Sequence, residues 1–160
     1  MNTEEFPAEE GREAFAAFMS IETLLERAQV FSKLRKAAEL EGGLNLRNSL
    51  SLGNYLRHGH KDGPLKVALA ALNIKVSFVD GFKVFDWAEH VTALAEDAIP
   101  LVLYLPKQGR FAFESVGRSP KDKPLLAIAV YQLNQGAIRV AVSHPALGVK
   151  IFTLQEYTSD

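Results

Sequence analysis

Residues 47–79 read RNSLSLGNYLRHGHKDGPLKVALAALNIKVSFV. In the second half of this stretch, Pro64 suits the first turn of a helix, and the apolar residues after it recur at helical spacing. Residues 74–78 then alternate between apolar and polar side chains, which predicts a half-buried strand. The first half is rich in glycine, histidine and asparagine and has no regular period. Residues 44–63 are therefore predicted to form an ordered loop.

Upstream of this stretch the sequence predicts helices. Ser20 is a predicted N-cap, because the apolar residues after it follow the spacing of one buried helix face. The same spacing resumes after Ser32 and stops at Gly42-Gly43, which indicates two short helices or one bent helix. The first ten residues are polar and acidic, so ordered structure is expected to begin near Glu13.

Downstream the pattern changes to strands. Asp80-Gly81 favours a hairpin turn, and Asp86 with Glu89 has the spacing of a capping box at the start of one more helix. Turn residues such as Asn134 and Gly136 then separate five predicted strands, at residues 101–105, 110–116, 125–132, 138–143 and 149–154. Helices in the first half and antiparallel strands in the second predict the α+β class.

The composition excludes several classes of function. The 160 residues carry 18 basic and 19 acidic side chains, so no overall field attracts nucleic acid or an anionic membrane. The chain has no cysteine, which excludes disulfides, thiolate metal sites and bound iron–sulfur clusters. The N-terminus lacks the features of a signal peptide, and no apolar run is long enough for a membrane span. We therefore expect a cytoplasmic protein that does not cross a membrane.

The order of these segments resembles that of the FAD-binding subunit of the molybdopterin dehydrogenase family, which includes xanthine and carbon monoxide dehydrogenases. That family has an alanine-rich helix end, then Arg-Asn, then Thr-Ile-Gly-Gly-Asn, then a helix leading into a strand. Here Arg47-Asn48 matches the first pair, and Ser51, Leu52 and Gly53 match the start of the second motif. The resemblance implies FAD contacts at residues Arg47, Asn48, Ser51, Leu52, Gly53 and Asn54, and it implies no catalytic residue.

The chain departs from the family pattern at several positions. Asn54 replaces the second glycine of the motif, and Tyr55 replaces its asparagine. Pro64 stands where the family has an aspartate, and Glu114 stands where it commonly has a lysine. A glycine-rich turn lets backbone N–H groups approach a cofactor, so an added side chain hinders that approach.

The resemblance also implies a domain organisation. Residues 1–18 are expected to be an N-terminal extension, and residues 19–107 to match the second subdomain of the family's PCMH-type FAD-binding domain. Residues 108–160 are expected to match a truncated, β-rich C-terminal domain. The family's first flavin subdomain, which carries another phosphate-binding turn, has no counterpart in the sequence.

Three functions follow as alternatives. The chain is a degenerate, non-catalytic assembly or interaction module, or an FAD-binding electron-transfer component completed by another chain. In both cases the expected partner is a molybdenum-binding or iron–sulfur subunit, and a homo-oligomer is compatible with the sequence. The third alternative is an unrelated metal-dependent enzyme that uses His58 and His60, although a lone pair specifies little and two solvated loop histidines are the favoured explanation.

Overall fold

The computed structural model describes residues 9–28, 31–59, 62–79, 84–86, 98–120, 122–134 and 136–155. This part of the chain contains helices and antiparallel sheets, which confirms the predicted α+β class. The helices are α1 (Ile21–Arg27), α2 (Ser32–Glu39), α3 (Leu44–Ser49), α4 (Leu52–His58) and α5 (Pro64–Ala71). The strands are β1 (Arg12–Ala16), β2 (Lys75–Phe78), β3 (Val84–Asp86), β4 (Pro100–Pro106), β5 (Arg110–Val116), β6 (Leu126–Gln132), β7 (Ile138–His144) and β8 (Gly148–Leu154).

The strands form two four-stranded sheets. The first sheet has the order β1-β4-β2-β3, and all its pairs are antiparallel. Its edge strand β1 lies within the segment predicted as an N-terminal extension and pairs along its length with β4. The predicted hairpin pairs β2 with β3, while its turn at residues 80–83 lies outside the described residues. The helix predicted after Asp86 also lies outside them, since residues 87–97 are not described.

The second sheet is a simple meander in the order β5-β6-β7-β8. The predicted strands of the second half are confirmed to within one or two residues at each end. Asn134 follows β6 with a φ of 56°, a left-handed conformation that asparagine tolerates in turns. Alternation of buried and exposed residues along β6 gives this sheet an inner and an outer face.

The helices α1, α2 and α5 begin where the sequence predicts them. Ser20 caps α1, and its side-chain oxygen accepts a hydrogen bond from the backbone N–H of Thr23 at 3.1 Å. Of the two alternatives for this region, two separate short helices are observed. Pro64 occupies the first turn of α5, where its missing N–H leaves no helical hydrogen bond unmade.

The prediction of an ordered loop over residues 44–63 is wrong, because α3 and α4 lie within it. Ser51 caps α4, and Leu52, Tyr55 and Leu56 are buried at helical spacing. The sequence does not predict these helices, because glycine and asparagine are poor helix formers in isolation and interrupt the helical spacing of apolar residues. Packing against the rest of the chain overrides that local preference.

Helix α5 is the centre of the core. Every residue of α5 is buried, and it packs on the inner face of the second sheet and against α2. Three alanines on that inner face, Ala127, Ala129 and Ala141, are at most 1% exposed and let the helix approach closely. One hydrophobic cluster joins these residues to those of the first sheet, including Val76 and Leu103. No helix in the described part of the chain is long and apolar enough to cross a membrane.

Candidate functional site

The segment that resembles a flavin-binding turn is the start of α4. Ser51 is its N-cap, and the side-chain oxygen of Ser51 accepts a hydrogen bond from the backbone N–H of Asn54 at 3.2 Å. Ser51 also forms an isolated antiparallel bridge with Ser20, the N-cap of α1. The two helices therefore begin side by side, and their caps are joined by the backbone.

The backbone N–H groups of this turn donate to acceptors within the chain. The N–H of Leu52 donates to the carbonyl oxygen of Met19 at 2.9 Å, and the N–H of Gly53 donates to that of Ala17 at 2.7 Å. The N–H of Tyr55 donates to the Ser51 carbonyl oxygen at 2.9 Å. A bound phosphate or flavin oxygen would have to displace these carbonyl oxygens to accept from the same groups.

Gly53 has a packing role in this arrangement. A Cβ atom placed on Gly53 would lie 3.2 Å from the carbonyl oxygen of Ala17 and 3.3 Å from its Cβ. Both distances are tighter than ordinary van der Waals contact, so the glycine allows α4 to lie against the end of β1. The space that the glycine leaves is filled by the protein itself.

Arg47 lies in a buried ion pair. Its Nε donates to a carboxylate oxygen of Glu22 at 2.8 Å, and its Nη1 donates to the carbonyl oxygen of Gly42 at 2.7 Å. The other carboxylate oxygen of Glu22 accepts from Arg35 at 2.7 Å. Glu22 and Arg47 are 7% and 8% exposed. The hydrogen bonds from Arg47 and then Arg35 hold the pKa of Glu22 below its ordinary value.

Tyr55, which replaces the asparagine of the family motif, is also bound internally. Its hydroxyl donates to the carboxylate of Glu41 and accepts from the backbone N–H of Lys66 at 3.0 Å. The same carboxylate oxygen accepts from the N–H of Leu65 at 3.0 Å. Burial, with Glu41 beside it, raises the pKa of Tyr55 well above its ordinary value. This cluster fixes α4 to the start of α5.

The remaining residues of the predicted site are less constrained. Asn48 and Asn54 are exposed, and Asn54 has helical rather than left-handed backbone. Residues 51–54 therefore lie together at the start of α4. The Arg47 side chain instead pairs with Glu22, and Asn48 lies at the surface.

Two further departures from the family pattern have structural explanations. Glu114 is exposed on β5 and accepts a hydrogen bond from Lys36 at 2.9 Å, which lowers the pKa of Glu114. Pro64 begins α5, where an aspartate would have to be accommodated next to the Glu41 carboxylate. Neither position adds a positive charge or a hydrogen-bond donor to the candidate site.

The structure describes no group of metal ligands around His58, one of the two histidines of the alternative metal site. His58 lies in the last turn of α4 and is exposed, and His60 is outside the described residues. Over the described ranges no cluster of three or more histidine, aspartate or glutamate side chains could hold a metal ion. The pair therefore stays a prediction from the sequence.

Two of the cavities formed by the described residues lie away from residues 51–54. One of about 460 Å³ opens between the Arg12 end of β1 and the Tyr131 end of β6. The other, of about 480 Å³, lies between α2 and the segment that follows β5. None of residues 51–54 lines either cavity, so the candidate turn does not border an enclosed space of cofactor size at these two places.

Sequence reasoning missed the roles of Glu22 and Glu41. Each is an ordinary surface residue by pattern, and its partner lies far away in the chain, as with the separation of 25 residues between Glu22 and Arg47. One local signal was present, because Ser51 followed by Leu52, Tyr55 and Leu56 has the form of a capped amphipathic turn.

The fold defined here is an α+β unit with a helix-flanked antiparallel sheet and a second, four-stranded meander. No family model matches the sequence, and no curated protein matches it. Solved structures do match. A chain of quinoline 2-oxidoreductase from Pseudomonas putida 86 has a TM-score of 0.69 and 16% identity, and the match covers 98% of this chain and 62% of that one.

Carbon monoxide dehydrogenases have the same fold. A chain of the enzyme from Hydrogenophaga pseudoflava, in a form that lacks the Mo-pyranopterin moiety, has a TM-score of 0.68 and 16% identity over 91% of this chain and 56% of that one. A chain of a Cu,Mo-dependent carbon monoxide dehydrogenase has a TM-score of 0.69 and 13% identity over 91% and 57%. The resemblance to this group is thus found in the fold. The chain spans roughly three fifths of the length of these relatives.

Proposed function

We propose that this chain is a non-catalytic assembly or interaction module related to the FAD-binding subunit of molybdopterin-dependent dehydrogenases. The observation that carries the proposal is the bonding of the turn at the start of α4. The N–H groups of Leu52 and Gly53 donate to backbone carbonyls of residues 19 and 17, and that of Asn54 to a capping hydroxyl. A cofactor would have to replace two backbone acceptors that no side-chain rotation can move away.

The neighbouring side chains support the same proposal. Arg47 could bind a phosphate only by leaving the buried carboxylate of Glu22. Breaking this ion pair would leave the Glu22 carboxylate buried without this partner, which is strongly unfavourable. The space that Gly53 leaves open is occupied by Ala17. The residues that match the cofactor motif are therefore explained by folding contacts, and we infer that they do not fit FAD in the isolated chain.

The proposed partner is a molybdenum-binding or iron–sulfur subunit of a dehydrogenase complex. The fold shared with quinoline 2-oxidoreductase and carbon monoxide dehydrogenases supports this class of partner by analogy of fold. In this proposal the chain contributes contacts, and the redox chemistry belongs to the cofactors of the other subunits.

A second candidate is an FAD-binding component that another chain completes. Partial coverage of the structural relatives supports this second candidate. The match covers 62% of one relative's chain and 56% of another's, so 38% and 44% of those chains have no counterpart here. A second polypeptide that supplied this part would also supply a second phosphate-binding surface. The turn at residues 51–54 would then form part of the wall of the FAD site without donating hydrogen bonds to the cofactor.

The two candidates differ in a titration with FAD. The purified chain is mixed with excess FAD, passed through gel filtration and measured by visible absorbance and flavin fluorescence. We expect no flavin absorbance in the protein fraction. Protein that retains stoichiometric FAD would contradict the proposal. Flavin retained only when the chain is co-purified with its native partners would support the second candidate instead.

A further inference from the structure

The outer face of the second sheet has an apolar centre that no other described element covers. Helix α5 packs on the inner face, where Phe113, Ala129 and Ala141 are buried. Alternation along the strands sends the intervening residues to the opposite face. Large apolar side chains there keep much of their surface in solvent: Val116 62%, Leu126 40%, Ile128 37%, Phe152 54% and Leu154 54% exposed.

This face is continuous across all the strands of the sheet. The register places Glu114, Ile128, Val142 and Lys150 in one row that crosses from β5 to β8. The next row holds Ala112, Val130, Val140 and Phe152. These two central rows are apolar in the middle, and their ends differ in charge or size, whereas the rows at the two ends of the face include His144, Arg110 and Gln132. Monomeric proteins rarely expose a contiguous apolar patch of this kind without a function.

The two central rows are complementary to themselves when reversed. If two copies face each other across a two-fold axis that runs parallel to the strands between β6 and β7, each row meets its own reverse. Glu114 then faces Lys150 of the second copy, and Ile128 faces Val142. In the next row the small Ala112 faces the large Phe152. In the row at one end of the face Val116 faces Gly148, and in the row at the other end Arg110 faces Leu154 at the rim.

We propose that this face binds a second copy of the chain, forming a symmetric dimer in which the two sheets pack face to face. Aligned packing of two sheets is a common arrangement, with strand directions within about 30° of each other. Each strand has seven residues, so the face measures roughly 19 by 23 Å from ordinary strand spacing and rise. That footprint amounts to roughly 440 Å² per copy and about 870 Å² for the pair, which corresponds to a weak dimer rather than to a standard interface of about 1,600 Å².

The charged ends of the row remain able to meet. Glu114 accepts from Lys36 of its own chain, but its side chain is still 71% exposed. Lys150 is exposed on the edge strand β8. In the dimer the Lys150 ammonium of the second copy approaches the Glu114–Lys36 pair at the rim. Because of the two-fold symmetry, this contact occurs twice. Rim charges of this kind fix register more than they add affinity.

The inference builds on the assembly role proposed above, and its test is independent of flavin. A dimer that binds FAD would refute only the non-catalytic proposal, and a monomer that lacks FAD would refute only the present one.

The test is sedimentation of the full chain over a concentration series. We expect the mass of wild type to rise towards twice that of one chain as the concentration increases. Phe152→Asp places a charge in the apolar face and should weaken the dimer at least about 100-fold. The matched control is Phe18→Asp, because Phe18 is 65% exposed but lies outside the second sheet, after β1. The control should keep the wild-type dissociation constant, and circular dichroism checks that both variants are folded.

Charge reversal tests the proposed axis. Glu114→Lys and Lys150→Glu should each weaken the dimer about tenfold, because each sets like charges opposite one another, and the double variant should restore it. A wild type that is monomeric at its highest soluble concentration would overturn the proposal. So would a dimer that survives Phe152→Asp, one that Phe18→Asp disrupts equally, or a double variant as weak as the single ones. If wild type is monomeric and binds another subunit, and Phe152→Asp abolishes that binding, the face belongs to that partner and the proposal is also overturned.

Discussion

The start of α4 matches a cofactor motif, yet its backbone donors and its arginine are bonded within the chain. The outer face of the second sheet matches no motif, yet it leaves Phe152 and Val116 more than half exposed. The polar groups of the first region are bonded within the chain, so we call it the closed region. The apolar side chains of the second region remain exposed to solvent. A motif match can therefore be explained by folding contacts alone, while an interaction surface can lie where the sequence pattern shows only a strand.

The largest expected effect comes from opening the closed region at its buried ion pair. Glu22→Gln removes the charge that neutralises Arg47 and Arg35, so the free energy of unfolding should fall by about 3 kcal/mol. The matched control is Glu26→Gln, an exposed position on the same helix, which should stay within about 0.5 kcal/mol of wild type. Urea denaturation measures both. Equal losses in the two variants would show that the ion pair contributes nothing specific.

The pH dependence of stability sharpens the same point. The pKa of Glu22 is lowered in the folded chain, so its contribution is fully present above the ordinary glutamate pKa of about 4.3. It is lost as the pH falls through the lower, folded-state pKa. The stability difference between wild type and Glu22→Gln should therefore shrink on acidification from pH 6 towards about pH 3. A difference that stays constant over this window would argue against a lowered pKa.

A smaller effect is expected where α4 meets β1. Gly53→Ala places a methyl group 3.2 Å from the Ala17 carbonyl oxygen, which accepts from the Gly53 N–H itself, so the crowding should outweigh the better helix propensity of alanine and leave a net cost of about 1 kcal/mol. Gly43→Ala is the control, since a Cβ there meets nothing within 4 Å. Thermal unfolding compares the two. If both variants unfold alike, Gly53 does not serve the packing of α4 on β1.

The smallest effect is expected at Asn54. The side chain is exposed on α4, so Asn54→Gly should lower stability by only a few tenths of a kcal/mol through helix propensity. It should add no affinity for FAD, because the N–H groups of Leu52 and Gly53 keep their acceptors. Fluorescence titration with FAD checks this. A gain of binding in the variant would mean that the asparagine side chain alone blocks the turn.

The parts of the fold that follow from sequence are those with local causes. Strands β5 to β8 have regular alternation and turn residues between them, and α1 and α5 have a capping serine and a first-turn proline. Helix α4 escaped prediction because Gly53 and Asn54 weaken its pattern, and its stability comes from contacts with β1. Local propensity cannot report such long-range packing.

The candidate site was less predictable than the fold. Residues 51–54 do lie together, as adjacent residues must, but the partners that decide their chemistry come from elsewhere in the chain. Ala17 lies at the end of an edge strand, and Glu22 and Glu41 carry no pattern of their own. Whether a backbone N–H is available to a ligand depends on tertiary contacts, which a motif does not encode.

The amide signals of Leu52 and Gly53 in a two-dimensional ¹⁵N–¹H NMR spectrum test the closed turn most directly. We predict that both amides exchange slowly with solvent, since their donors are bonded to the carbonyls of Met19 and Ala17, and that excess FAD leaves their chemical shifts unchanged. Rapid exchange of these amides, or saturable shifts at Gly53 on adding FAD, would contradict the claim that the chain itself occupies its flavin-like turn.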